Sequence, residues 1–188
     1  IYTLSLHDAL PIYYRVYDDG VARGFITKKT TLREALLDAK ISIDSNDRTE
    51  PALDTKLVAS SYQVNIYRAR PVVIKDGLSV TKVITAHRTG AQIAKQAGIA
   101  LRDEDETSLM QSTDPLRDGA SEVMTVARAL PFTFDFYGKT STVYSLGKTV
   151  GEMLQQKNIT LAKNDVVVPG VETPLAAGMS IIDRKSVV

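Results

Sequence analysis

A thirteen-residue pattern present three times leaves this chain little freedom in what it can fold into. The copies run from Thr31 to Ile43 (TLREALLDAKISI), from Thr89 to Leu101 (TGAQIAKQAGIAL) and from Thr149 to Leu161 (TVGEMLQQKNITL). Each opens on Thr and places Glu or Gln three residues later, at Glu34, Gln92 and Glu152. That is the capping-box arrangement, in which the hydroxyl takes one free amide at a helix start and the longer side chain returns to another. Each copy reaches an Ile ten residues after its Thr (Ile41, Ile99, Ile159), then Ile43, Leu101 or Leu161 two residues on. The first part carries the helical period and the last three residues alternate, so a helix of about nine residues passes into extended chain.

Other landmarks keep the same step. Thr31 to Thr89 is 58 residues and Thr89 to Thr149 is 60. Before each Thr lies a Gly in a turn, at Asp18-Asp19-Gly20, Lys75-Asp76-Gly77 and Phe136-Tyr137-Gly138. Gly accepts the positive φ of a tight hairpin, and the flanks alternate, as in Phe132, Phe134 and Phe136. Past each helix an Asp stands sixteen residues after the Thr (Asp47, Asp105, Asp165), and Pro51 and Pro169 share the next landmark. Leu57, Leu116 and Leu175 then precede a turn and a last alternating strand, clearest at Tyr62, Val64 and Ile66. The order predicted for each module is strand, strand, helix, strand, strand, an α+β unit with one small core.

The joints are short. Arg68-Ala69-Arg70-Pro71 and Arg128-Ala129-Leu130-Pro131 fall 60 residues apart, where one module's last strand passes to the next module's first. Proline suits a strand's first residue and holds its predecessor extended. The expected organisation is a first repeat over 13–70, a second over 71–130 and a truncated third over 131–182, in an elongated arrangement with little linker. A single core is marginal at this module size.

The two ends stand apart from the repeats. Residues 1–12, IYTLSLHDALPI, and 183–188, DRKSVV, resemble translated sequencing-adapter sequence and are set aside from fold reasoning. Ser5, His7 and Asp8 fall in that first stretch, and near-adjacent residues are no evidence for a catalytic triad, which is a spatial arrangement. The composition is 44% hydrophobic and 24% charged with a net charge of +1. Such a balance predicts no strong field for nucleic acid or anionic lipid, and no apolar run is long enough to span a membrane. With no Cys, disulfides and thiolate metal sites are ruled out.

No residue set predicts catalysis, cofactor binding or metal binding: the expectation is none for each. His87, the only His outside the adapter-like end, reads as a loop residue without the partners a general base needs. Asp103-Glu104-Asp105-Glu106 lacks the spacing and Gly of a calcium loop and reads as a solvated turn. Glu34 and Glu152 already have a capping task, and Gly147-Lys148-Thr149 only echoes a phosphate loop, since the earlier Gly is missing. Tyr14, Tyr17, Tyr62, Tyr67, Tyr137 and Tyr144 read as sheet packing. The sharper alternative is a stacking surface for sugar rings or a partner at module edges.

Val16-Tyr17-Asp18-Asp19-Gly20, Thr31 to Leu36, Ile41 to Ile43, Asp47 and Pro51 to Leu57 together form a pattern. It resembles the ubiquitin-like (β-grasp, ββαββ) repeat that occurs in tandem in bacterial cell-wall proteins such as the YabE-like proteins and the larger resuscitation-promoting factors. The first copy carries it most specifically; the second has drifted, with Gln92 for Glu and Leu109 where the first has Pro51. The resemblance implies an exported cell-envelope protein in which non-catalytic repeats space or attach a G5-type domain and a peptidoglycan-cleaving domain. The implied partners are peptidoglycan or another envelope glycan and a wall hydrolase. The other reading is a surface module that itself binds glycan or protein through strand edges and Tyr residues.

Overall fold

The computed structural model describes residues 10–136, 138–161 and 165–185, with Phe136 and residues 184–185 described in backbone only. It is an α+β protein built on three four-stranded mixed sheets. The first contains β1 (Ile12–Asp18), β2 (Val21–Thr27), β3 (Arg48–Glu50) and β4 (Ser61–Tyr67), with α1 (Leu32–Asp38) between β2 and β3. The second contains β5 (Arg70–Asp76), β6 (Ser79–Thr85), β7 (Glu106–Gln111) and β8 (Glu122–Ala127), with α2 (Gly90–Gln96) and the short α3 (Pro115–Asp118). The third contains β9 (Leu130–Phe136), β10 (Lys139–Ser145), β11 (Asp165–Val168) and β12 (Ser180–Lys185), with α4 (Val150–Gln156). The strand orders are β2-β1-β4-β3, β6-β5-β8-β7 and β10-β9-β12-β11. In the first and third sheets the two central strands are parallel (β1 with β4, β9 with β12) and the hairpins antiparallel. Compact units are formed by Ile1–Val72 with Lys82–Gln96 and by Val73–Thr81 with Ala97–Val188.

The local chemistry explains the elements. Asp19 and Gly20 form the first hairpin loop with φ of 46° and 79°, the mirror-image turn that matches strand twist. In the second hairpin the two-residue loop is Gly77-Leu78, one residue later than the sequence suggests, with Gly77 at φ 57°. Thr31 caps α1 by accepting from the Glu34 amide at 3.3 Å, and Thr149 caps α4 by accepting from the Glu152 amide at 3.2 Å. Helices α1, α2 and α4 are seven residues long, shorter than expected. Their ends are marked by left-handed residues at the repeat spacing: Lys40 (φ 56°), Gly98 (φ 74°) and Asn158 (φ 53°). After Lys40 the Ile41 amide donates back to the Leu36 carbonyl at 2.9 Å, which turns Ile41 into the core.

In the first core, alternate residues of β1 and β4 (Tyr14, Val16, Val64, Ile66) meet Leu32, Ala35 and Leu36 of α1. Tyr14 is fully buried and stacks on Phe25 with ring centroids 5.1 Å apart. The third core repeats the scheme with Phe132, Phe134, Val150, Met153, Leu154 and Ile181.

The second sheet departs from the other two after its third strand. In the first and third, a cis proline (Pro51, Pro169) ends that strand, and the chain crosses to the helix start. There Leu57 donates to the Thr30 carbonyl and Leu175 to that of Lys148, both at 2.8 Å. Leu109 stands where Pro51 does, and β7 runs on to Gln111 in a long antiparallel pairing with β8. Leu116 therefore falls in α3 at 97% exposure and is no counterpart of the buried Leu57, contrary to the sequence alignment of the modules.

Candidate binding surface

Two periodic landmarks of the sequence turn out to be halves of one device. Arg68, just past β4, forks onto Asp18 at the end of β1 (Nε to Oδ1 2.7 Å, Nη2 to Oδ2 2.6 Å). Its Nη1 donates to the Ser42 carbonyl at 2.7 Å and to Asp47 Oδ2 at 2.8 Å, while the Ala69 amide donates to Asp47 Oδ1 at 2.8 Å. Arg128 repeats this with Asp76 (2.9 and 2.6 Å), the Ala100 carbonyl (2.7 Å) and Asp105 (2.7 Å), with the Ala129 amide on Asp105 at 2.9 Å. The Asp47 and Asp105 side chains are 3% and 0% exposed. Burial pushes the Asp47 carboxyl up, but the Ala69 and Asp44 amides and the Arg68 guanidinium outweigh it and hold it below the usual carboxylate range. The Arg68 hydrogen bonds lower Asp18 likewise, and Arg68 itself is raised above its ordinary value. These groups fix the exit of one strand toward the next module and offer no open reacting atom.

The other sequence candidates have structural tasks. Asp105 is not in a solvated turn, as the sequence predicts, because it is the buried acid of the Arg128 clamp; Glu104 pairs with Lys157 at 3.0 Å. His87 works through its main chain: its amide donates to Thr85 Oγ1 at 3.0 Å and its carbonyl accepts from Arg70 at 2.7 Å. Gly147 is needed for close packing, since a Cβ there would lie 2.8 Å from the Met153 amide nitrogen, and the Lys148 amide donates to Glu152 at 2.7 Å. Among the described residues no three His, Asp or Glu side chains stand together as a metal site, and no helix is long and apolar enough to cross a membrane.

The tyrosines divide by face. Tyr14 and Tyr62 are on the core side, and Tyr62 Oη accepts from the Val58 and Ala59 amides at 2.7 and 2.8 Å. Tyr13, Tyr17 and Tyr67 alternate with buried residues and lie on the opposite face of the first sheet. Tyr13 lies over Gly24, where a Cβ would come within 2.7 Å of its hydroxyl. Tyr17 stands beside Asn65 across the parallel β1–β4 pair. Tyr67 donates to Glu50 at 3.1 Å, and that carboxylate raises the phenol's pKa. Sequence periodicity could have sorted these residues, since odd and even positions of β1 and β4 take opposite faces.

Among the described residues Asp183, the first residue of the adapter-like tail, breaks the apolar pattern of the third core. The β9–β12 register pairs Phe134 with Ile181, as β1–β4 pairs Val16 with Val64, so Asp183 stands where the first module has the buried Ile66. It is 2% exposed, and neither carboxylate oxygen has a hydrogen-bond partner. Burial, with Asp165 nearby, pushes its pKa up.

Residues 16–54 and 138–172 match the G5-linked-Ubiquitin-like domain family. The matches fall on the first and third modules, whose third strands end at a proline and whose chains cross to the helix start. The G5-linked ubiquitin-like pattern is not matched over the second module, where Leu109 replaces that proline and the hairpin is long. No curated protein matches the chain.

Proposed function

We propose that this chain is a non-catalytic spacing or anchoring region of an exported bacterial cell-wall protein, in which the modules precede a G5-type domain and a peptidoglycan-cleaving domain. The observation that carries the reading is the match of the first and third modules to a domain family described by its linkage to G5. The polar clusters support it, because the Arg68 and Arg128 clamps are consumed in holding strand exits and leave no activated group in a cleft. The chain works at the cell envelope, outside the cytoplasm. Small-angle scattering tests the spacer role: an elongated particle is expected and a compact one overturns it. The same protein incubated with purified peptidoglycan should release no soluble fragments above a blank.

A second reading is favoured by the tyrosines on the outer face of the first sheet. Here the repeats are themselves a surface module that holds envelope glycan or a partner protein. Co-sedimentation with peptidoglycan sacculi separates this reading from a purely spacing role, since a pure spacer stays in the supernatant.

A further inference from the structure

Tyr17, Asn65 and Tyr67 lie side by side over the carboxyl ends of the parallel strands β1 and β4, on the face away from α1. With the Asp19-Gly20 turn and Arg88 they line a cleft of about 340 Å³. That is within the lower range of small-molecule sites. Its parts are held in place before any ligand arrives. Tyr67 is tied to Glu50 at 3.1 Å, Arg88 donates to the Arg68 carbonyl at 3.4 Å, and Asp19 is set by the tight turn.

We propose that this cleft binds a pyranose sugar. Phenol rings offer apolar faces for the C–H face of a sugar ring. Asn65, Asp19 and Arg88 supply the donors and acceptors that ring hydroxyls need, Asp19 accepting and Arg88 donating. The cleft holds one carboxylate and one guanidinium, so it presents no net charge to select an anionic or cationic peptide. A neutral polar ligand with one apolar face is its match.

The repeat supplies an internal control. At Tyr17's position the second and third modules carry Lys75 and Asp135; at Asn65's they carry Thr125 and Ile182; at Tyr67's the second carries Ala127. Lys75 pairs with Asp118 of α3 at 3.2 Å. The fold therefore forms without these side chains, and their convergence in the first module is not a packing requirement.

The proposal rests on the second reading above and narrows it to one site and one ligand class. Titrating the full chain with cellotetraose and chitotetraose, followed by tyrosine fluorescence, tests it without interference because the chain has no Trp. Saturable quenching by at least one of them is expected. Tyr17→Lys and Tyr67→Ala, which install residues the second module already tolerates, should each weaken it about tenfold, the weight of one stacked ring. Tyr13→Ala, outside the cleft, should leave it unchanged. No saturation with either sugar, equal loss in Tyr13→Ala, or quenching by a poly-glutamate peptide instead would overturn the sugar assignment. Sacculus co-sedimentation that persists in Tyr17→Lys overturns this site while leaving the surface-binding reading standing; saturable sugar binding without co-sedimentation does the reverse.

Discussion

Replacing Arg68 by Ala removes a fork that two acids and a carbonyl share, and leaves Asp47, whose side chain is 3% exposed, with only its two amide donors. Removing one partner of a buried pair costs about 3–5 kcal/mol, and partial exposure of Arg68 lowers this to about 2–4 kcal/mol in urea denaturation. Arg68→Lys should recover little of it, because an ammonium cannot span Asp18 bidentately. The exposed pair Arg33–Asp54, at 2.8 Å, is the contrast: Arg33→Ala should leave stability nearly unchanged. The clamp carboxyls have folded pKa values below their unfolded ones. Their stabilisation is present above the unfolded value and is lost as pH falls through the folded one. Asp183 has the opposite sign. Its folded pKa is raised, so the third module is most stable below the unfolded value and loses stability as pH rises through the folded one. Asp183→Ile restores the residue type found at Ile66. It should stabilise the third module by about 2 kcal/mol or more near neutral pH and abolish that pH dependence, as thermal melts across pH would show.

At the scale of elements, the helix starts at Thr31 and Thr149 were legible because they are local, a Thr three residues before a Glu; at Thr89 the hydroxyl instead donates to Gln92 Oε1 at 3.0 Å. The helix ends were not. Lys40 holds the position that Gly98 holds in the second module, with φ of 56° against 74°, and nothing in a Lys announces a left-handed backbone. Lys40→Gly should raise the unfolding free energy by up to about 1 kcal/mol by relieving the Cβ clash, and Asn158→Gly by less, since Asn tolerates that region. Leu109 was visible as drift from Pro51, but its consequence was not. There the chain continues β7 into a long pairing with β8, and Leu116 moves from a core position to an exposed one.

At the scale of the molecule, the first and third cores share one grammar, each placing alternate residues of two central strands against one helix. A net charge of +1 gives no long-range field, so the chain should pass a heparin column unretained at physiological salt. The outer faces of the sheets are where the modules differ, with Tyr17 in the first, Lys75 in the second and Asp135 in the third. Residues freed from the core can diverge between copies while the inward set remains apolar.

The sequence by itself determined the repeat, its period, its helix starts and its α+β class, because each is encoded in residues within one turn or one strand of each other. Only the tertiary structure decided that Asp18, Asp47 and Arg68 are one clamp, that Asp105 is buried, and that Tyr17, Asn65 and Tyr67 share a cleft. Those groups come from strands and loops up to 50 residues apart, as for Asp18 and Arg68. Their meeting depends on the parallel β1–β4 register, which a single strand's pattern does not contain.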